Sequence, residues 1–429
     1  MTTWPSVCRR ESSQESSMAE GQPAVRTVVV HNAYGSFSGE EAVVEGTKRL
    51  LRDKGHDVVE FARSSAEIGQ MSLGKLRAFF SGVYSGSARR RMRELLTETR
   101  PDLVHVHNVY PLISPSVLVE CRRAGVPVVM TVHNYRLVCP NGLHMVNGQV
   151  CERCCGGREY WCILRNCTGE FLKSVGYALR NWVARKWRLF LDNVTLYAAL
   201  TEFQRQRLIA AGFPRDRIQV IPNMAAPIKA DPETGLGHYV GYVGRISPEK
   251  GLPLLMAAAR NCLDVVFKAA GTYERMPNLP QQAPANFEFL GHLNAEALAE
   301  FYRACRIVVL PSTWFEGFPM VLAEAMLRGK PIVCSRIGGL PEIVDDGVTG
   351  LLFEPGNVEE LAEKVRCLWD SPDLCRQMGE AGRQKALREY SPDRYYERLM
   401  ALYQRAIELA PGGPATRLSS KTRAMTTEV

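Results

Sequence analysis

Short, nearly continuous apolar segments alternate with amphipathic helical patterns along most of this chain, and this alternation strongly constrains its fold. Six such segments lie in the first half, at 26–30, 58–61, 103–106, 128–132, 195–200 and 218–221. Strands buried on both faces have this composition, whereas strands with one solvated face alternate polar and apolar residues. The pattern therefore predicts a parallel sheet covered by helices, the first of which spans 40–54 and ends at Gly55.

The alternation stops between Asn223 and His238, where Ala, Pro and Gly dominate without any periodicity. It then restarts, with strand candidates at 239–243, 265–269, 287–290, 307–310, 332–334 and 351–353, and final helices at 358–369 and 393–409. A linker between two similar units indicates two α/β domains, which we expect at 25–225 and 226–392. Each would be a Rossmann-like, doubly wound parallel sheet with ligands at the carboxyl ends of its strands.

Composition excludes several classes of protein. With 46% hydrophobic and 23% charged residues, the chain resembles an ordinary globular protein. It contains no apolar run of the roughly 18 residues that a membrane-spanning helix needs. Segments 1–24 and 411–429 are expected to be disordered tails, and the first lacks the apolar core of a signal peptide. We therefore expect a cytoplasmic protein, and no nucleic-acid partner, because no reading motif accompanies the net charge of +8.

Segment 171–190 interleaves basic with aromatic residues: Lys173, Arg180, Arg185, Lys186 and Arg188 with Phe171, Trp182, Trp187 and Phe190. A basic helix of this kind binds the surface of an anionic membrane, which would place the protein peripherally at the inner face. The alternative is a solvated helix whose tryptophans pack into the core.

Segment 314–324 places two glutamates around a loop-to-helix junction. Pro319 suits the first helical position, because its missing N–H would be unpaired there anyway, and Gly329 ends the helix after Arg328. The free N–H groups of a helix start bind anions. Glu316 precedes them, and Glu324 lies about 7–8 Å along the axis from Pro319. The segment thus offers donors to a phosphate with a carboxylate on either side, as a nucleotide-sugar would require.

Segment 244–251 follows the predicted strand 239–243 and carries two cations, Arg245 and Lys250. A diphosphate needs such partners, because arginine offers a bidentate fork and lysine a point charge. The alternative is a solvent-exposed loop in which the cations pair with Glu249. The neighbouring anion-binding helix start favours the diphosphate.

These segments together resemble the retaining glycosyltransferases of family 4, which have the GT-B fold. The resemblance covers roughly residues 25–410 and rests on Glu316-Gly-Phe-Pro…Glu324, Gly244-Arg…Lys250-Gly, Val220-Ile-Pro-Asn223 and Gly338-Gly-Leu-Pro-Glu-Ile…Asp346-Gly-Val-Thr-Gly-Leu-Leu-Phe. It implies two domains that face each other across a cleft. It also implies a C-terminal helix, 393–410, that returns to the first domain.

The resemblance implies roles for individual residues of the second domain. Arg245 and Lys250 would hold the diphosphate of a UDP- or GDP-type donor. Glu316 would bind hydroxyls of the donor sugar, and Glu324 those of the ribose. The backbone of the helix start would meet sugar and phosphate at Gly317, Phe318, Met320 and Val321.

Two positions of the first domain join this set by the same resemblance. The glycine-containing loop that ends at Gly39 would approach the donor phosphates, since glycine permits a close backbone approach. His133, after the strand 128–132, would lie near the reacting sugar and form the catalytic pair with Glu316. The alternative for His133 is a core histidine bonded to the backbone.

The implied reaction moves a hexose from a nucleotide-diphosphate donor to a saccharide or lipid-linked acceptor in cell-surface polysaccharide or glycoconjugate synthesis. Positive groups would stabilise the departing diphosphate. Retaining members of the family need no protein nucleophile, which argues against reading Glu316 as one by analogy with glycosidases. The chain has no Asp-x-Asp, so no catalytic metal is expected. A sugar-nucleotide epimerase of the same architecture and a non-catalytic carbohydrate-binding protein are the alternatives.

Cysteines are concentrated in segment 139–167, which holds six of the thirteen. Cys139, Cys151, Cys154 and Cys167 have spacings able to form a tetrahedral zinc site. Flanking turn formers indicate a loop insertion, and a reducing cytosol disfavours disulfides. Structural zinc and free thiols are therefore the two alternatives. The insertion follows His133, so we expect it to shape the acceptor site.

Overall fold

A computed structural model describes residues 23–35, 38–71, 74–225 and 236–410 of the chain. The predicted tails lie largely or wholly outside these residues, as does most of the linker. The first domain contains, in chain order, β1 Arg26–Ala33, α1 Gly39–Asp53, β2 Asp57–Ser64, α2 Gly74–Val83, α3 Gly86–Thr99, β3 Leu103–Asn108, α4 Val117–Arg123, β4 Val128–Val132, β5 Met145–Val146, β6 Gln149–Val150, α5 Tyr160–Leu164, α6 Phe171–Lys186, β7 Leu196–Ala199, α7 Glu202–Ala210 and β8 Ile218–Val220.

The second domain repeats this alternation. It contains β9 Tyr239–Val243, α8 Leu252–Arg260, β10 Phe267–Ala270, β11 Phe287–Gly291, α9 Ala295–Ala304, β12 Cys305–Leu310, α10 Met320–Leu327, β13 Ile332–Ser335, α11 Leu340–Ile343, β14 Gly350–Phe353, α12 Val358–Trp369, α13 Pro372–Glu389 and α14 Pro392–Glu408. Each predicted strand is present, with ends that differ by up to three residues. The largest extensions are at β1 and β2, which continue to Ala33 and Ser64 because the two strands stay paired as far as these residues.

Two six-stranded parallel sheets organise the molecule, as predicted. The first has the order β2-β1-β3-β4-β7-β8 and the second β11-β10-β9-β12-β13-β14. In the second sheet the winding direction reverses between β9 and β12, which are paired neighbours. Doubly wound sheets bind ligands at such a switch point, beyond the carboxyl ends of the strands. The loops that follow β9 and β12 are those that carry Arg245, Lys250 and Glu316.

Helix α14 returns to the first domain, which confirms the expected crossing helix. Its buried residues recur every three or four positions, from Tyr395 and Leu399 to Tyr403 and Ala406. This spacing gives one apolar face, which packs on the first sheet. The Tyr403 hydroxyl lies 2.7 Å from Nδ1 of His105 on β3, so α14 is part of the core of the first domain.

Candidate active site

Glu316 and Lys250 form an ion pair at the switch point. Lys250 Nζ lies 2.6 Å from Glu316 Oε1, and the Ser312 hydroxyl donates to the same oxygen at 2.6 Å. Glu316 is only 3% exposed. Among the described residues no hydrogen bond reaches Oε2, so this oxygen is the one left for a ligand. The sequence predicted separate partners for Lys250 and Glu316, whereas in the structure the two side chains pair with each other.

The backbone of Glu316 rests on the glycine pair that begins at Gly338. Gly338 has φ +62°, and a Cβ there would lie 2.6 Å from the Glu316 nitrogen and 2.7 Å from its oxygen. Gly339 N–H donates to the Glu316 carbonyl at 2.8 Å. Only glycine permits this close approach at a positive φ. The Gly338-Gly339 motif therefore positions the loop that carries the carboxylate.

Arg245 extends from the end of β9 and is half-exposed. Its Nη2 lies 2.8 Å from Glu249 Oε1, and its Nε donates to the Ser247 hydroxyl at 3.4 Å. Burial opposes ionisation of Glu249, yet hydrogen bonds from its own backbone and Ser247, with the charge of Arg245, lower its pKa. The ion pair with Glu249, which was expected only as the alternative, is therefore the contact that Arg245 makes in the structure.

Helix α10 begins at Met320, one residue later than predicted. Pro319 is its N-cap, with an extended backbone of φ −69° and ψ 118°, and its carbonyl accepts from Leu322 N–H at 3.1 Å. The N–H groups of Met320 and Val321 therefore have no partner within the helix. The Phe318 side chain packs on Tyr390 in the core, with ring centroids 5.0 Å apart, so only its backbone faces the loop.

Glu324 lies one turn into α10 and is half-buried. The Tyr302 hydroxyl donates to its Oε2 at 3.1 Å. Burial, together with the nearby carboxylate, raises the pKa of Tyr302 well above its usual value, so the phenol stays a donor. Among the described residues Oε1 accepts no hydrogen bond and remains available.

Gly39 opens α1 directly opposite α10. A Cβ on Gly39 would lie 3.9 Å from Met320 Cγ, so two helix starts face each other across the cleft. Ser38 caps α1 by accepting from Glu41 N–H at 3.3 Å. The structure therefore brings Gly39 next to the predicted donor-binding residues of the second domain.

His133 follows β4 and stacks on His107 of β3. His107 Nδ1 and His133 Nε2 are 2.8 Å apart, and their ring centroids are separated by 5.1 Å. Burial lowers the pKa of His133 to about 3, so the imidazole is neutral at physiological pH. The partner is a histidine side chain, not the backbone partner expected for a core histidine.

Glu40 was not identified from the sequence, although it lies beside Gly39. Its Oε2 accepts from the Tyr34 hydroxyl at 2.7 Å and from Asn134 Nδ2 at 3.3 Å. Its Oε1 lies 4.0 Å from His31 Nδ1, and neither atom has a hydrogen-bond partner among the described residues. Burial raises the pKa of Glu40. Its position after a glycine loop was the one available signal, and an acidic residue is ordinary at a helix start.

Contacts between the domains close the cleft at one side. The Glu342 carboxylate accepts from the N–H groups of Glu202 and Phe203, both at 2.6 Å, and so caps α7 from the second domain. The Tyr135 hydroxyl donates to the Glu316 carbonyl at 3.4 Å. The loop that carries Glu316 is therefore held by the first domain as well as by the second domain, to which it belongs.

The cysteine-rich segment lies against this closed side. Burial, together with the neighbouring thiols of Cys139, Cys167 and Cys151, raises the pKa of Cys154, so the four predicted zinc ligands lie close enough to interact. Among the described residues, one group of three or more metal-ligating side chains has all its ligand atoms within 4.8 Å, namely His144, Glu152 and Cys155. None of the four predicted cysteines belongs to it. The zinc site predicted at Cys139, Cys151, Cys154 and Cys167 therefore stays a prediction.

Helix α6 exposes large apolar residues. Trp182 is 47% and Trp187 57% exposed, so the alternative in which these tryptophans pack into the core is wrong. Leu172, Leu179 and Trp182 recur at helical spacing on one side. Arg180, by contrast, is buried between the rings of Tyr110 and Tyr177 and does not contribute to this surface. Among the residues that the structure describes, no helix has both the length and the hydropathy of a transmembrane span.

Comparison with known proteins covers both domains. The family model "Glycosyl transferase 4-like domain" matches residues 38–224, and the model "Glycosyl transferases group 1" matches residues 231–385. An uncharacterised glycosyltransferase of Methanocaldococcus jannaschii is 37% identical over 147 residues, 33% of this chain and 41% of that protein. Glycogen synthase of Mycobacterium tuberculosis is 29% identical over 317 residues, 70% of this chain and 68% of that protein.

A solved structure shares the fold across both domains. Anabaena HepE, in complex with UDP-glucose, superposes with a TM-score of 0.60 at 19% identity, over 88% of this chain and 100% of that one. The two-domain GT-B architecture, the two matched family models and the position of the Glu316 loop at the switch point agree. The chain therefore belongs to the glycosyltransferases that combine a 4-like first domain with a group 1 second domain.

Proposed function

We propose that this protein transfers a hexose from a nucleotide-diphosphate donor to an acceptor, with retention of the anomeric configuration. The observation that carries the proposal is the Lys250–Glu316 pair, placed at the switch point beside the free amides of Met320 and Val321. Cations, free amides and an unpaired carboxylate oxygen converge there, as a sugar diphosphate needs. The UDP-glucose complex of HepE and the glycogen synthase relative support a nucleotide-sugar donor.

In the proposed complex the diphosphate replaces two carboxylates as the partner of the cations. Arg245 leaves Glu249, and Lys250 leaves Glu316, because a phosphate carries more charge than either carboxylate. Glu316 Oε2 then accepts from a hydroxyl of the sugar, and Glu324 Oε1 accepts from the ribose. Separating these roles avoids a contact between a carboxylate and a phosphate, which would be repulsive.

The chemical step relies on electrostatic stabilisation of the leaving nucleoside diphosphate. Lys250, Arg245 and the amides of Met320 and Val321 meet the negative charge that develops on the β-phosphate. Glu316 keeps the hydrogen bond from Ser312 and accepts from a sugar hydroxyl, which suits a binding role better than nucleophilic attack. His133 contributes an uncharged polar group near the sugar, because a histidine with a pKa near 3 does not act as a general acid at neutral pH.

The acceptor is proposed to enter on the side of the first domain. The unpaired atoms Glu40 Oε1 and His31 Nδ1 lie close together, and buried polar atoms of this kind ordinarily have partners. An acceptor hydroxyl would satisfy them. Asn134 and Tyr34 hold Glu40 in position for this contact.

A lipid-linked acceptor at the cytoplasmic face of a membrane fits the surface of the first domain. Segment 160–192 carries six basic and two acidic residues in the sequence, and it presents Trp182, Trp187 and Leu172 to solvent. Aromatic residues among basic ones suit an anionic lipid surface. We propose that α6 rests on such a membrane and delivers the acceptor to the cleft.

The test is incubation with a panel of UDP- and GDP-hexoses together with saccharide and lipid-linked acceptors. Free nucleoside diphosphate and an elongated acceptor are expected from one donor. An isomerised donor without transfer would identify an epimerase instead. If no donor is consumed while saccharides still bind, the protein would be a carbohydrate-binding module.

A further inference from the structure

The β5–β6 hairpin brings three metal-ligating residues together beside the cleft. Cys151 N–H donates to the His144 carbonyl at 2.7 Å, and Cys155 N–H donates to the Glu152 carbonyl at 3.1 Å. A ring nitrogen of His144, a carboxylate oxygen of Glu152 and Sγ of Cys155 consequently lie within 4.8 Å of one another. We propose that these three residues bind a divalent cation of the zinc type.

His144 is arranged as a metal ligand. Its side chain is fully buried, and its backbone lies in the left-handed region at φ +48°. Nδ1 lies 3.2 Å from the Cys151 carbonyl oxygen and must donate to it. This leaves the lone pair on Nε2, which is buried without a hydrogen-bond partner among the described residues. A carbonyl on one ring nitrogen and a metal on the other is the usual arrangement for ligating histidines.

The donor set suits zinc in chemistry and in charge. Imidazole nitrogen, thiolate sulfur and carboxylate oxygen are its usual ligands. A thiolate and a carboxylate together balance the two charges of the ion. Arg207 Nε lies 3.2 Å from Glu152 Oε1 and holds the carboxylate from outside the site.

A metal ion at this site would stabilise the loop that carries Glu316. The His144 ring packs on Tyr135, with centroids 4.9 Å apart, and on Phe315 at 5.9 Å. Phe315 precedes Glu316, and Tyr135 donates to the Glu316 carbonyl. An ion on His144 would therefore stiffen the wall on which the loop rests. This consequence rests on the proposed function, whereas metal binding itself does not.

Zinc content of the full-length, reduced protein tests the site. After zinc loading and dialysis against a weak chelator, we expect one zinc per chain in the wild type. His144→Ala and Cys155→Ser should each weaken binding by at least about tenfold. Glu152→Gln provides a variant at an exposed position, where misfolding is not expected. The matched controls are Cys139→Ser and Cys167→Ser, which should retain the ion.

Cobalt substitution gives a second readout that does not depend on activity. The wild type should show one thiolate-to-cobalt charge-transfer band, and Cys155→Ser should abolish it while circular dichroism is unchanged. A wild type without stoichiometric zinc would overturn the proposal. Loss of zinc from the Cys139→Ser and Cys167→Ser controls would also overturn it, because the ion would then lie among the other thiols.

Discussion

Replacing Glu316 by glutamine separates its proposed contact with the sugar from its contact with Lys250. The substitution keeps the shape and an acceptor for Ser312 but removes the charge. A hydrogen bond to a charged group contributes about 1.5–3 kcal/mol. If Oε2 binds a sugar hydroxyl in the transition state, kcat/KM should fall about 10- to 150-fold at 1.36 kcal/mol per decade. Release of nucleoside diphosphate in a coupled assay measures this fall.

The Lys250–Glu316 pair also leads to a prediction for stability, in which the double variant differs from the two single variants. Removing one member of a buried ion pair costs about 3–5 kcal/mol, because the other charge is left uncompensated. The Lys250 side chain is 15% exposed, so the lower end is expected here. At about 2–4 °C per kcal/mol, Glu316→Gln and Lys250→Met should each lower Tm by about 6–12 °C. The double variant should recover much of this loss, because neither charge remains.

Activity and stability should therefore respond differently to the double variant. In the donor complex the two residues hold different parts of the donor, so their losses in kcat/KM should accumulate. The control is Glu354→Gln, whose side chain is 64% exposed in an ion pair with Arg336 and should change neither quantity. Activity of Glu316→Gln within about threefold of wild type, at unchanged donor KM, would refute the sugar contact even if Tm falls as expected.

Three further predictions address other parts of the molecule. Arg245→Ala should raise the donor KM about tenfold, through loss of a phosphate contact of about 1.5 kcal/mol; an unchanged KM in steady-state kinetics would contradict the contact. Trp182→Ser combined with Trp187→Ser should abolish flotation with anionic vesicles while leaving activity on a soluble acceptor intact; retained flotation would exclude this surface. Burial lowers the pKa of His105 to about 3, so acidification favours the unfolded state, whose histidine binds a proton below about 6.5. Stability present at pH 7 should therefore be lost as pH falls, by about 2 kcal/mol at pH 5 from this residue, and His105→Gln should flatten the dependence of Tm on pH between 7 and 5; an unchanged slope would count against the burial argument.

Much of the fold could be predicted from the sequence because its signals are local. Apolar runs of three to six residues between helical patterns identified every strand of both sheets. The loop-to-helix junction could also be predicted, because Glu316, Pro319 and Glu324 lie within one loop and the helix that follows it. The switch point then followed from the rule for doubly wound sheets.

The remaining features depend on contacts between distant parts of the chain. Lys250 and Glu316 are 66 positions apart, so their pairing could not be read from either motif. Glu40 was missed because its partners come from two separate segments, with His31 and Tyr34 at the end of β1 and Asn134 after β4. The exposure of Trp182 likewise depends on which side of α6 packs against α2 and α5. Periodicity alone did not decide this, since both sides of that helix carry apolar residues.

The most direct measurement of the proposed reaction is NMR of the product formed from an α-configured nucleotide-hexose. The protein, its donor and an acceptor should yield free nucleoside diphosphate and a new α-glycosidic linkage, with the anomeric proton in the α range. Formation of a β-linkage would contradict retention. Recovery of every donor unchanged or epimerised, with active acceptor present, would contradict the transferase itself.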